Sequence, residues 1–250
     1  MCAIYSTGNE GVVLENAERP LGFQIEFAGA AVPDTADVSG RFVRLEKIDP
    51  ARHGPQIWAH IQNHPQVWDY LYEEVPADEA TFIATLEVSA ARSDWFGYAI
   101  CMEGGAVGYA FYLNIVPAMG SIEVGNINFS PKMQRTPAAS EAMYLMMRQA
   151  FDLGYRRYEW KCNALNTPSR RAAQRLGFSW EGIFRQHLIV KGRNRDTAWF
   201  AMTDHEWPEI CVAFETWLEA GNFDDQGRQR QSLSALTAPH LFASDPGQTG

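Results

Sequence analysis

The sequence predicts a mixed α/β domain, and three observations carry that class. Tyr158, Trp160, Cys162 and Ala164 alternate with polar neighbours, which is the two-residue period of a half-buried strand. Ala142, Leu145, Met146 and Ala150 recur at helical spacing, which gives residues 138–153 one apolar face. Two strand-to-helix junctions read alike, Thr136-Pro137 and Thr167-Pro168, so strands feed helices more than once. A chain of 250 residues holds one such domain with appendages.

Composition narrows the function classes. At 46% hydrophobic and 12% aromatic residues the chain builds a packed core and is not disordered. A net charge of −9 without a compensating basic block argues against a nucleic-acid partner and is compatible with cationic acceptors such as amines or basic peptides. Cys2, Cys101, Cys162 and Cys211 are scattered and form no CxxC pair, so they read as reduced thiols, with neither a disulfide framework nor a metal site. No apolar run reaches transmembrane length and no basic segment precedes an apolar one, so a cytoplasmic protein without a membrane partner is expected.

Residues 1–38 form an N-terminal extension, in which Phe23, Ile25 and Phe27 alternate with Gln24 and Glu26. That predicts a short strand docked on the main domain or on a second subunit, so a homodimer is among the expectations. Pro33 to Gly40 reads as a linker. Gly40–Asp49 is the first strand of the main domain (39–205), and a helix carrying Ile57, Trp58 and Ile61 follows from Pro50. His60 and His64 lie four residues apart but lack the glutamate of HExxH, so they read as surface or packing histidines. Val67–Val75 mixes Trp68, Tyr70 and Tyr72 with acids: a loop pinned by aromatics or, functionally, a wall for a cationic acceptor.

A second helix runs from Pro76 to Arg92, with Ala80, Ile83, Ala84 and Leu86 to Val88 on its buried side. Strands 95–102 and 106–115 flank the turn Glu103-Gly104-Gly105. Gly154 stops the helix 138–153, and Gly177-Phe178 closes the helix after Asn166. A hairpin spans 183–203 around Gly192-Arg193-Asn194, a helix occupies 206–221, and the polar segment 222–250 reads as a mobile tail.

The stretch from Ser121 to Ala142 organises the rest. Ile122 and Val124 share one strand face and Glu123 takes the other; after Gly125-Asn126 the phase slips to Ile127 and Phe129. A one-residue slip beside a glycine predicts a β-bulge, which bends the strand away from its neighbour. Ser130-Pro131 ends it. Thr136 is a suitable N-cap and Pro137 a suitable first helical residue, leaving the amides of Thr136, Ala138 and Ala139 beside Arg135 as an anion site. Arg170, Arg171 and Arg175 read mostly as a solvated helix face, with phosphate contact as the alternative.

Over roughly residues 40–203 these motifs resemble the GNAT superfamily of acyl-CoA-dependent N-acyltransferases, and within it the Rim-type branch that acetylates ribosomal-protein N-termini. The family's Q/R-x-x-G-x-G/A loop corresponds to Gln134, Arg135, Thr136, Pro137, Ala138 and Ala139; Pro137 replaces the first glycine and removes one amide donor. Asn166, Ser169, Gly177 and Phe178 match the Rim-type N-x-x-S ahead of a helix ending in G-F. The resemblance implies a mostly antiparallel central sheet, flanked by helices, whose splayed strand pair admits the pantetheine arm of acetyl-CoA. It places Gln134 to Ala139 at the pyrophosphate and Asn166 with Ser169 near the thiol. Many members carry a general-acid tyrosine where Ala173 stands here, so Ser169 substitutes or no acid is required.

An amine is protonated at neutral pH and must lose a proton before it attacks a thioester. Glu123 is the candidate base, and backbone amides near Val124 and Gly125 are candidate donors to the thioester carbonyl. The expectation is an N-acetyltransferase acting on a protein α-amino group or a small amine, without a metal. A non-catalytic acyl-CoA sensor of the same fold is the alternative.

Overall fold

The computed structural model describes residues 22–34 and 37–248. Asp49 caps α1 (Pro50–Ile61), its carboxylate accepting from the Arg52 amide at 3.2 Å with Pro50 at the first helical position. Asp78 caps α2 (Glu79–Ala90) in the same way through the Thr81 amide. The remaining helices are α3 (Pro137–Asp152), α4 (Thr167–Arg175), α5 (Trp207–Leu218) and the short α6 (Leu233–Thr237).

Eight strands form one sheet: β1 (Asp37–Ser39), β2 (Arg44–Lys47), β3 (Phe96–Met102), β4 (Gly105–Val116), β5 (Ser121–Phe129), β6 (Arg157–Asn163), β7 (Ser179–Val190) and β8 (Arg193–Thr203). Their order is β1-β2-β3-β4-β5-β6-β8-β7, and every neighbouring pair is antiparallel except β5–β6. This is the mixed, mostly antiparallel sheet flanked by helices that the resemblance implies.

Strand alternation divides the interior into two cores. On β3, Tyr98 and Ile100 join α3, α4 and α5 in one, while Ala99 and Cys101 join α1 and α2 in the other. On β5, Ile122 and Val124 belong to the first core, so Glu123 points to the α1/α2 side.

The bulge is where the sequence places it. Tyr109 pairs with Asn128 and Phe111 with Gly125, so three residue steps on β5 oppose two on β4. Asn126 takes the strain with φ of +45°, a left-handed conformation that asparagine tolerates better than most residues. Beyond the bulge β5 leaves β6. Their parallel pairing runs only from Ser121↔Arg157 to Val124↔Trp160, although both strands continue.

Several local expectations differ from the structure. Residues 22–33 form no strand; they dock by Ala30 N–H to the Pro117 carbonyl (3.0 Å) and Ala31 N–H to that of Leu153 (2.8 Å). Residues 1–21 lie outside the described part. The supposed linker contains β1, which pairs with β2 through Val38↔Leu45. On α2 the buried side is Phe82, Leu86 and Ser89, whereas Val88 is 71% exposed. The segment expected to be a mobile tail instead packs on the domain. Leu233, Thr237 and Asp245 are buried, and Thr237 Oγ1 donates to the Arg175 carbonyl. Overall composition missed these anchors because two of them, Thr237 and Asp245, are themselves polar.

Candidate active site

The parting of β5 and β6 leaves strand edges facing a gap, and Glu123 stands on β5 just before it. Its side chain is 8% exposed. Oε2 accepts from Asn114 Nδ2 at 2.6 Å and meets Lys161 Nζ at 2.8 Å. Oε1 takes no hydrogen bond from the described residues and lies 3.4 Å from where a Cβ on Gly125 would project. That same Cβ would strike Leu113 Cδ1 at 2.5 Å, so a side chain here would have to displace the end of Leu113.

Burial pushes the Glu123 pKa up, and Lys161 and Asn114 oppose that effect without cancelling it. The network extends sideways. Lys161 also meets Glu159 at 3.1 Å and sits 4.0 Å over the Trp199 ring; Arg157 bonds Glu159 at 2.8 Å and Glu181 at 2.6 Å. Burial raises the Glu159 pKa, but Arg157 and Lys161 outweigh it and hold the group below its ordinary value. Three carboxylates against two cations leave this strip one negative charge, a complement to an ammonium-bearing molecule.

Asn114 and Lys161 were not singled out from the sequence. Asn114 reaches Glu123 because β4 has its own irregularity between Leu113 and Val116, with φ of +45° at Asn114. Lys161 carried a visible signal: Arg157, Glu159 and Lys161 alternate with buried Tyr158, Trp160 and Cys162.

The start of α3 differs from expectation in its hydrogen bonds. The Thr136 amide bonds the Met133 carbonyl at 3.2 Å, so it is not a free donor, and Thr136 Oγ1 donates to the same carbonyl. The threonine side chain therefore leaves the amides of Ala138 and Ala139, in the first turn, uncapped. Gln134 is exposed and donates to the Phe129 carbonyl at 2.7 Å, while Arg135 holds φ of +60°. Arg175 approaches from α4, its guanidinium 3.0 Å from Ser140 Oγ, and burial lowers its pKa. No carboxylate pairs with it among the described residues. An uncapped helix start beside a half-buried, unpaired cation fits a phosphate group.

On α4 the cap is Asn166, whose side-chain oxygen accepts from the Ser169 amide at 3.1 Å; Thr167 is already the first helical residue. Ser169 Oγ accepts from Trp160 Nε1 at 3.1 Å, which fixes the hydroxyl beside the diverging end of β6. Ala173 is fully buried in the main core. Arg170 is not solvated either: it forms a two-pronged ion pair with Asp245 at 2.5 and 2.7 Å. Val124 is buried and Gly125 half-buried at the point of divergence. Far from this gap, Glu46, His53 and Cys101 bring potential metal-binding atoms within 4.8 Å of one another, but Arg44 and Arg52 already direct cations at Glu46.

Comparison with known proteins agrees with this architecture. Residues 43–179 match the family model for the acetyltransferase (GNAT) domain. A GCN5-related N-acetyltransferase from Brucella melitensis is 42% identical with a TM-score of 0.81, covering 84% of this chain and 97% of that one. A GNAT-family protein from Chromobacterium violaceum, described as a probable acetyltransferase, is 37% identical with a TM-score of 0.73, covering 78% and 99%. The Salmonella typhimurium acetyltransferase that modifies the N-terminal serine of ribosomal protein L7/L12 shares the fold at 19% identity, with a TM-score of 0.57 over 66% and 96%. Among curated proteins none matches significantly. A domain match over more than half the chain, joined to a 42% identical relative of nearly the same extent, makes this chain a member of the GNAT family of acetyltransferases.

Proposed function

We propose that the protein transfers an acetyl group from acetyl-CoA to a primary amine by direct attack, with Glu123 as general base. One observation carries the reading. Glu123 is buried at the divergence of β5 and β6 with Oε2 fixed by Asn114 and Lys161, while Oε1 is free of protein donors among the described residues. A carboxyl group with a raised pKa and one uncommitted oxygen can take a proton from an ammonium, directly or through water.

The gap between β5 and β6 exposes unpaired backbone groups to which an amide-bearing pantetheine arm can bond as a strand would. Gln134 to Ala139 would hold the pyrophosphate, with the amides of Ala138 and Ala139 as donors and Arg175 as a further cation. Amides near Val124 and Gly125 would donate to the thioester carbonyl as charge develops there. The Ser169 hydroxyl, oriented by Trp160, would pass its proton to the departing thiolate while taking one from solvent, and the Asn166 cap fixes the helix start that carries it. The acceptor would be a protein α-amino group or a small amine, in a cytoplasmic setting. Among the described residues no helix is long and apolar enough to cross a membrane.

The test is thiol release from acetyl-CoA across a panel of amines and short peptides, with wild type and Glu123→Gln side by side. Turnover that depends on the carboxylate supports the proposal. Acetyl-CoA binding without turnover of any acceptor would leave a sensor in its place.

A further inference from the structure

A second cleft opens between the segment 65–75 and the β7–β8 hairpin, on the sheet face that carries Glu123. Its walls are tied together: Lys191 Nζ donates to the Trp68 carbonyl at 2.7 Å, and Tyr70 Oη to that of Leu165 at 3.3 Å. Arg195 lines it from β8. On that strand Arg195, Thr197 and Trp199 share a face, and Trp199 lies beneath the Lys161 ammonium that contacts Glu123.

Arg195 is 6% exposed, yet its Nε has no hydrogen-bond partner, and no carboxylate pairs with it among the described residues. Its guanidinium is instead held 4.7 Å over the Tyr72 ring. A buried cation stacked on an aromatic ring and left without a counter-ion is costly unless something else supplies the charge. Asp69 and Glu74 also line the cleft but are exposed, whereas Arg193 and Lys191 add positive charge beside Arg195.

We infer that this cleft binds an oxyanion, a carboxylate or a phosphate, carried by the amine acceptor itself, with Arg195 as its main partner. This rests on the proposed acetyl transfer and adds the acceptor's chemical class. By register Glu123 lies level with Ala201, six positions from Arg195 and about 20 Å away along the strand, so the acceptor is elongated, with its oxyanion on the order of 15 Å from the amine once the side chains reach inward. A peptide of about five residues with a free terminal carboxylate spans that distance. The requirement for an oxyanion explains why a chain with net negative charge keeps a desolvated, unpaired arginine in a cleft.

The experiment uses the full chain with acetyl-CoA and matched acceptors: a pentapeptide and its C-terminal amide, then a long-chain aminoalkyl phosphate and the corresponding alcohol. Wild type is expected to prefer each oxyanion-bearing partner at least tenfold in kcat/KM, mainly through KM. The peptide and phosphate pairs show which oxyanion is favoured. Arg195→Gln should abolish the preference while leaving kcat/KM for the neutral partner within about twofold, and exposed Arg193→Gln should reduce it severalfold. Should Arg195→Gln not fold, Arg195→Lys, which keeps the charge but not the fork, is expected to lose most of the preference.

Equal kcat/KM within the wild-type pairs overturns the inference, as does a preference that persists in the arginine variants. If no amine is acetylated, the function proposal fails separately, and calorimetry with the same compounds in the presence of CoA decides this one. Binding of the carboxylate or phosphate form that is lost in the Arg195 variant supports it; no binding overturns it.

Discussion

Lys161 and Glu123 meet at 2.8 Å across neighbouring strands just before those strands diverge, so the candidate base shares its carboxylate with a cation at the mouth of the gap. The contact lowers the Glu123 pKa and burial raises it, with burial ahead. The group is therefore protonated at a higher pH than an ordinary glutamate, and kcat/KM should rise with pH as it ionises.

Glu123→Gln keeps the shape and the Asn114 contact but cannot accept a proton. The expected result is a loss of kcat on the order of a hundred- to ten-thousand-fold at neutral pH, with acetyl-CoA affinity nearly unchanged and partial recovery at high pH as free amine accumulates. A pH–rate profile of both proteins checks this. A wild-type rate in the variant at neutral pH would remove Glu123 from the mechanism.

Lys161→Met removes the influence that opposes burial at Glu123. The carboxyl pKa should climb further, so the acid limb of kcat/KM moves to higher pH while the plateau at alkaline pH stays within a few-fold of wild type. A limb that stays in place would show that Glu123 does not control it.

Arg175→Gln should weaken CoA binding about tenfold, as expected for a charge-assisted hydrogen bond worth about 1.5 kcal/mol. Exposed Arg171→Gln is the control and should change nothing. Ala139→Glu puts a carboxylate at the uncapped start of α3 and should weaken binding more sharply. Calorimetry with CoA reads all three, and unchanged affinity throughout would move the pyrophosphate site elsewhere.

Ser169→Ala leaves the Trp160 indole N–H without its acceptor, at a cost of about 1 kcal/mol. If the hydroxyl also protonates the leaving sulfur, kcat falls while CoA affinity holds. A variant with a lower Tm but wild-type kcat would confine Ser169 to a structural role.

Asp245→Asn tests the packing of residues 233–245. Burial raises the Asp245 pKa, but the bonds from Arg170 and the Gly247 amide outweigh it, so the folded pKa lies below the ordinary value. A depressed carboxylate pKa contributes stability above the unfolded pKa, near 3.8, and loses it as pH falls through the folded value. The variant should be less stable by about 3 kcal/mol at pH 7, with the gap narrowing below about pH 4. Urea titrations at both pH values measure this, and an equal gap at each would contradict the assignment.

Much of the site was legible because it follows from local rules. The bulge showed as a phase slip at Gly125-Asn126, and the starts of α3 and α4 as Thr-Pro pairs, within one residue of their positions. What a threonine does with its hydroxyl was not legible. Thr136 turns to the Met133 carbonyl and Thr167 cedes the cap to Asn166, since either choice satisfies the same local geometry. Nor could alternation alone give the Asn114–Glu123–Lys161 cluster. It joins three strands, two of them irregular, and its register is set by pairing that no single segment encodes.

The ion pair of Arg170 with Asp245 spans 75 residues, and the bond from Thr237 to the Arg175 carbonyl spans 62. Contacts that close such long loops are entropically expensive and form late. The outer surface of α4, the helix that carries Ser169 and Arg175, is thus completed only after the β7–β8 hairpin and α5 are in place. In a refolding experiment, sheet formation and recovery of CoA binding should therefore separate in time, with the binding signal the slower of the two.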